Sequence, residues 1–327
     1  MDATPNPDPR LAPGTDHFDG TRFFNPNAPH GRTLAEVRRW RRSRHPEPWP
    51  KRVEVPALPP PGRTAPDHIS ATFIGHSTFL LRIGGVSVLT DPIWSQRCSP
   101  VSFAGPRRVR QPGQPLDALP GVDIVLVSHN HYDHMDLPTL RQVRKRWTPR
   151  VLTGLGNARH LAKAGIQNAA ELDWWQSAEC ADTRVTYVPA QHFSSRSLHD
   201  RDRCLWGGFI VETKAGAVYF AGDSGYGPHF AEIGRRFPRI DLALLPIGAY
   251  EPRWFMRQNH VDPSEAVRAH LDLGPRRSLG MHFGTFQLTD EAIDAPVEAL
   301  RDARVQAGVA AVDFDVLAFG ETREYLV

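Results

Sequence analysis

The feature that most limits what this chain can fold into is a six-residue run, His129-Asn130-His131-Tyr132-Asp133-His134, at the end of an apolar stretch. Ile124 to Ser128 reads as a buried strand, so four metal-capable side chains enter the turn that follows it. A tight turn there can aim His129 and His131 at one point, while the adjacent Asp133 and His134 reach a second point close by. With 15 His and 36 acidic residues in 327, HxHx[DE]H arises by chance in roughly a few chains per thousand. Asp136, Leu137 and Pro138 open a helix directly afterwards, which stiffens the turn.

Four residues do not fill two metal sites. Three further candidates each follow an apolar strand: His192 after Tyr187-Val188-Pro189-Ala190, Asp223 after Val218-Tyr219-Phe220-Ala221, and His282 after Ser278-Leu279-Gly280-Met281. Taken singly, a polar residue at a strand end is ordinary. Taken together they complete a binuclear cage and include a carboxylate that can bridge. Asp91, also at a strand end, suits a carboxylate that orients a metal histidine. His76 fits that role or a satisfied core histidine equally well.

Strands are expected at Ala71–Arg82 and Val86–Asp91, joined as a hairpin through Ile83-Gly84-Gly85. Others are expected at Ile124–Ser128, Val151–Thr153, Arg184–Pro189, Phe209–Thr213, Val218–Ala221 and Leu242–Ile247. Helices should follow His134, lie near Asn157–Ala164, and start at Asp262, where Pro263 and Glu265 complete a capping pattern and Gly274 stops the run. This alternation predicts an α/β chain with two packed sheets covered by helices, a four-layer αββα sandwich. The hydrolase domain should span 67–327. Residues 1–66 should form an arm, poorly ordered to about residue 30, a short helix at Thr33–Arg44 and a Pro-rich surface strap.

The formal charge of +3 gives no sign of a nucleic-acid partner. Cys98, Cys180 and Cys204 fit no disulfide framework, and neither a leader nor a stretch of ~20 apolar residues is present. A cytoplasmic enzyme is therefore expected, peripheral to the inner face of the membrane where Arg38-Arg39-Trp40-Arg41-Arg42 meets anionic lipid. Such a run is more often a solvated helix face.

The metal motif together with Gly75-His76-Ser77-Thr78, Leu89-Thr90-Asp91-Pro92-Ile93, Glu171-Leu172-Asp173-Trp174-Trp175, Phe220-Ala221-Gly222-Asp223 and Leu245 to Met256 resembles the metallo-β-lactamase superfamily. Within it, the chain is similar to bacterial relatives of the N-acylphosphatidylethanolamine-hydrolysing phospholipase D family. The resemblance implies the metallo-β-lactamase-type fold, with His129, His131 and His192 on one metal, Asp133, His134 and His282 on the other, and Asp223 bridging. Zinc is expected, with iron or manganese as alternatives. It implies catalytic roles for Asp133, Asp223 and His260, the last beside the substrate phosphate as donor or acid.

Phe193 and Phe283 stand where the animal enzymes are expected to carry Trp, which alters pocket shape. No cysteine occupies a ligand position, unlike the zinc β-lactamases. The implied reaction is hydrolysis of N-acylphosphatidylethanolamine to N-acylethanolamine and phosphatidic acid. The alternative is hydrolysis of another ester, lactone, thioester or nucleotide phosphodiester on the same cage. Tyr250, Trp254, Phe255 and Met256 would wall an acyl site, with Arg253 or Arg257 near phosphate. Expected partners are the phospholipid or other phosphodiester substrate, the membrane surface and a second copy as homodimer.

Overall fold

The computed structural model describes residues 16–28, 31–62, 64–65, 67–180, 182–197 and 199–327. In chain order it forms α1 (Leu34–Arg42), β1 (His68–Gly75), β2 (Thr78–Ile83), β3 (Val86–Thr90), β4 (Ile124–Val127), α2 (Leu137–Trp147), β5 (Arg150–Gly154) and α3 (Ala158–Leu161). Then come β6 (Ala170–Leu172), β7 (Ser177–Cys180), β8 (Thr183–Val188), β9 (Gly208–Thr213), β10 (Gly216–Phe220) and α4 (His229–Arg236). The chain continues through β11 (Leu242–Pro246), α5 (Arg253–Met256), α6 (Pro263–Leu273), β12 (Ser278–Met281), α7 (Ala295–Ala307), β13 (Phe314–Asp315) and β14 (Thr322–Leu326).

Two seven-stranded mixed sheets result, ordered β14-β1-β2-β3-β4-β5-β6 and β13-β12-β11-β10-β9-β8-β7. They pack face to face through side chains such as Phe73, Leu126, Tyr187, Phe209, Val218 and Leu244. The outer face of the first sheet buries Leu80, Val125 and Val127 against Leu140 and Val143 of α2. Helix α6 packs against both α4 and α7 and lies on β11 of the second sheet. The expected four-layer αββα order is the observed one. All four residues of β4 are buried on both faces, as parallel strands between layers require, and each contributes roughly 1.5–3 kcal/mol relative to exposure.

The expected single strand Ala71–Arg82 is two antiparallel strands, β1 and β2, which reverse at Gly75-His76-Ser77. Gly75 (φ 135°) and His76 (φ 59°) make that reversal, and the apolar run on both sides hides it. The Gly84-Gly85 hairpin joins β2 and β3 as expected, with both glycines at positive φ. Thr33 caps α1 and Asp262 caps α6 through full capping boxes.

The N-terminal arm departs from expectation. Residues 16–28 are packed on the domain, with His17, Phe18 and Phe23 buried; residues 1–15, 29 and 30 lie outside the described residues. The apolar rings of Phe18 and Phe23 supply the burial that the surrounding Pro, Asn and Asp conceal. The Pro-rich segment runs extended over the surface, tied by Trp49 Nε1 donating to the Glu291 carbonyl (2.9 Å) and by Gln114 Nε2 donating to the carbonyls of Leu58 (3.2 Å) and Pro59 (3.0 Å).

Candidate metal centre

Strand ends of both sheets converge on one buried point. β4 delivers the 129–134 turn, which closes with Met135 N donating to His131 O at 2.8 Å. Arg196 clamps the turn from outside, its guanidinium donating to the carbonyls of Asn130 (2.7 Å) and Met135 (2.9 Å). Across the interface, the segments after β8, β10 and β12 supply His192, Asp223 and His282. Gly222 (φ 61°) turns the chain after β10, and a Cβ there would lie 2.7 Å from Ser128 Cβ. His76, Asp91 and His282 hold left-handed backbone (φ 59°, 31° and 61°). Such strain costs on the order of 1–3 kcal/mol each and persists only where the surroundings enforce it.

The candidate ligand atoms cluster as His129, His131 and His192 on one side and as His76, Asp133, His134 and His282 on the other. His129 Nε2 lies 2.8 Å from His131 Nδ1, and His192 Nε2 lies 3.3 Å from the same atom. In the second set, His134 Nε2 and His282 Nε2 stand 3.3 and 3.4 Å from Asp133 Oδ2. Asp223 Oδ2 sits between the sets, at 3.0 Å from His134, 3.2 Å from His282, 3.8 Å from His192 and 3.9 Å from His129. Ligands about 2.05 Å from a tetrahedral ion are about 3.3 Å apart, so these spacings suit metal coordination. Buried His134 Nε2, His282 Nε2 and Asp223 Oδ1 have no hydrogen-bond partner among the described residues. Polar atoms left so in a core are costly, and a cation satisfies all three.

The opposite ring nitrogens are fixed. His134 Nδ1 donates to Asp91 Oδ2 (2.6 Å), and His192 Nδ1 to the Asn259 carbonyl (2.9 Å). His129 Nδ1 meets Ser128 Oγ at 2.9 Å, and that hydroxyl donates to Asp91 Oδ2 at 2.5 Å. One buried carboxylate therefore orients a histidine of each set, directly and through Ser128, leaving both Nε2 lone pairs free. His76 Nε2 contacts Asp133 Oδ2 at 2.9 Å and so holds a ligand carboxylate in place.

Charge divides along the same line. Burial pushes His131 down to about 4 and His192 down to about 3, and drives His129 well below its ordinary value. This first set is therefore neutral and ready to ligate. Burial also opposes charge on His134 and His282, but Asp223 and Asp133 overcome it, raising His134 well above its ordinary value and His282 to about 9. Burial would raise Asp133 and Asp223, yet His134, aided by His282, holds both well below the usual carboxylate range.

His260 reaches the rim of the cage, its ring 5.1 Å from His192 and 5.4 Å from His282, with Nδ1 unpartnered. Burial lowers it to about 3, so it stands as a neutral imidazole. Arg253 is committed elsewhere, to Asp262 (3.1 Å), Glu265 (2.6 Å) and the His260 carbonyl (2.9 Å). Trp254 and Phe255 are covered by the N-terminal helix: Trp40 stacks on Phe255 at 4.7 Å, and Arg39 lies over Trp254. Sequence reasoning missed Ser128 and Arg196, because a serine or arginine carries no ligand signature. Their only signal was proximity to the histidine motif, in sequence for Ser128 and in space for Arg196.

A family model for the beta-lactamase superfamily domain matches residues 87–283. An uncharacterized protein of Mycobacterium tuberculosis is 43% identical over 237 residues, covering 71% of this chain and 63% of that protein. The chain thus spans less than two thirds of that relative's length. The N-acyl-phosphatidylethanolamine-hydrolyzing phospholipase D 1 of Caenorhabditis elegans is 38% identical over 269 residues, covering 77% of this chain and 76% of that enzyme. Among solved structures, Igni18, a metallo hydrolase of Ignicoccus hospitalis, matches with a TM-score of 0.59 at 24% identity, over 79% of this chain and 98% of that one. That last likeness concerns the fold alone. No described helix is long and apolar enough to cross a membrane.

Proposed function

The chain belongs to the beta-lactamase superfamily and is a metal-dependent hydrolase, and from that premise we propose that it cleaves a phosphodiester, N-acylphosphatidylethanolamine, in the manner of a phospholipase D. The observation that carries this reading is the 38% identity to the nematode enzyme over 77% of the chain. Two cations, zinc or else iron or manganese, would supply charge at a phosphoryl oxygen and activate water near neutral pH.

His129, His131 and His192 would hold one cation and Asp133, His134 and His282 the other, with Asp223 between. Asp91 and Ser128 keep the Nε2 atoms aimed inward. His260, neutral and with a free Nδ1, is suited to donate a hydrogen bond to the phosphate. The charge of a bound phosphate would raise its affinity for a proton, which can then pass to the leaving alkoxide. Burial pushes the thiols of Cys98 and Cys204 upward, Cys204 to about 11, so neither is an activated nucleophile. Burial raises the Cys180 thiol as well, and the reading takes water to attack phosphorus directly, with no covalent enzyme intermediate. Peripheral membrane contact through the exposed Arg38, Arg41 and Arg42 belongs to the same reading.

Turnover of N-acylphosphatidylethanolamine in oxygen-18 water tests it. The label should appear in phosphatidic acid, with the released alcohol unlabelled. Label in the alcohol or in a freed fatty acid means attack at carbon, and no turnover by metal-loaded protein rejects the substrate; either result overturns the proposal.

A further inference from the structure

Glu171-Leu172-Asp173-Trp174-Trp175 has no part in the cage, and residues 16–28 lie outside the segment matched by the family model. The structure joins these two. His17 Nε2 contacts Asp173 Oδ1 at 2.8 Å, and its ring stacks on Trp174 at 4.4 Å. Trp174 Nε1 donates to the Trp206 carbonyl at 2.8 Å. Phe23 N donates to Asp202 O at 2.8 Å, and its buried ring packs on that of Phe18 at 4.8 Å.

This anchored turn presents Asn25 to the backbone of His192. Asn25 Nδ2 donates to His192 O at 2.8 Å, while Oδ1 accepts from His192 N at 3.2 Å and from Trp206 Nε1 at 3.1 Å. A primary amide that pairs with both backbone groups of one residue fixes the peptide planes on either side of it. His192 lies beyond the end of β8; Gly225 N holds the preceding carbonyl, Gln191 O, at 2.8 Å, and Asn25 holds both backbone groups of His192 itself. Asn25 and His192 also line a cavity of about 540 Å³. Without the amide, water there would replace the bonds but could not hold the backbone to the ~0.2 Å tolerance of a metal ligand.

We propose that Asn25 is a positioning residue for the cation held by His129, His131 and His192, and that the turn over residues 16–25 is part of the metal centre. This rests on the reading of those histidines as ligands and is independent of the substrate. Asn25 touches no reacting atom; it acts through His192.

The test compares full-length wild type with Asn25→Ala and Asn25→Asp. Asn25→Asp keeps the acceptor for His192 N and Trp206 Nε1 but sets a carboxylate oxygen against His192 O in place of the donor. Zinc equivalents are counted by elemental analysis after dialysis against graded chelator, and cobalt-substituted samples report ligand geometry by visible absorption. Wild type should hold two ions. Both variants should keep one as tightly as wild type and bind the other about 10- to 100-fold more weakly, with a changed cobalt spectrum and unchanged far-UV dichroism. Fewer than two ions in wild type sinks the cage reading and this inference with it. Two equally tight ions in wild type and both variants sinks the Asn25 role alone. Loss of both ions together with helical signal in both variants marks Asn25 as a folding residue and also overturns the proposal.

Discussion

Replacing Asp91 by Asn removes one charge and one acceptor from a fully buried site. Three donors converge on this carboxylate: Ser128 N at 2.7 Å on Oδ1, with Ser128 Oγ at 2.5 Å and His134 Nδ1 at 2.6 Å on Oδ2. Burial raises the Asp91 carboxyl, and the three donors from His134 and Ser128 oppose that shift and favour the ionised form. An asparagine oxygen placed at Oδ2 keeps two of them, and its amide nitrogen then faces Ser128 N–H, donor against donor. One orphaned buried donor costs about 1–3 kcal/mol, and the two remaining bonds lose their charge assistance. Asp91→Asn should therefore destabilise the metal-free protein by roughly 2–4 kcal/mol, read by urea unfolding. His134 also loses the partner that fixes its tautomer, so metal affinity should fall about 10- to 100-fold, measured by competition with a chelator. Asp123→Asn serves as control, because that carboxylate accepts Ser87 N at 2.8 Å in an exposed turn. Equal effects of the two substitutions on stability and on metal affinity would refute the reasoning.

Gly222→Ala places a Cβ 2.7 Å from Ser128 Cβ and 2.9 Å from the Gly207 carbonyl at φ 61°. The clash and the left-handed backbone together should cost roughly 2–5 kcal/mol in urea unfolding, with Asp223 displaced and metal weakened; a stable variant with two ions contradicts this. A pH effect follows from His282, raised to about 9. A raised histidine contributes stability fully below its unfolded value near 6.5 and loses it as pH climbs through about 9. The metal-free protein should thus weaken across pH 6.5–9. Metal binding at pH 7 should release about two protons, from His134 and His282, as calorimetry in buffers of different ionisation enthalpy will show; no release at pH 7 contradicts the assignment.

Much of the cage was legible because metal ligands must be of a few residue types, and each of the seven stands just past an apolar strand. The Asp91 role was legible for the same reason. What escaped was whatever depends on contacts between distant segments. The strand from Ala71 to Arg82 seemed continuous because the reversal at His76 uses a non-glycine in left-handed backbone, enforced by His282 N donating to His76 O at 2.8 Å. The short β6, β7 and β13 lack enough residues to show a period, and β14 alternates weakly at a sheet edge. The arm was misjudged because its composition is polar, while its order comes from two phenylalanines and a histidine paired with Asp173, 156 residues away. Trp254 and Phe255 suggested a lipid wall; each is half-buried and packs one face on α1, through Arg39 and Trp40 respectively.

The pairing of β1 with β14, which brings His68 opposite Leu326, bears on how the molecule is made. The first strand of the sheet that carries the histidine turn waits for the last strand before its outer edge is covered. During synthesis at ~5–20 residues per second, β1 and β2 emerge well before β14, leaving an unpaired apolar edge open to other chains for many seconds. Contacts of such long sequence separation also slow the final folding step. Truncation at Glu321 should therefore leave the cage residues intact in sequence while yielding a chain that aggregates through its β1 edge. For expression of this protein, the rate at which the chain is finished matters as much as its final stability.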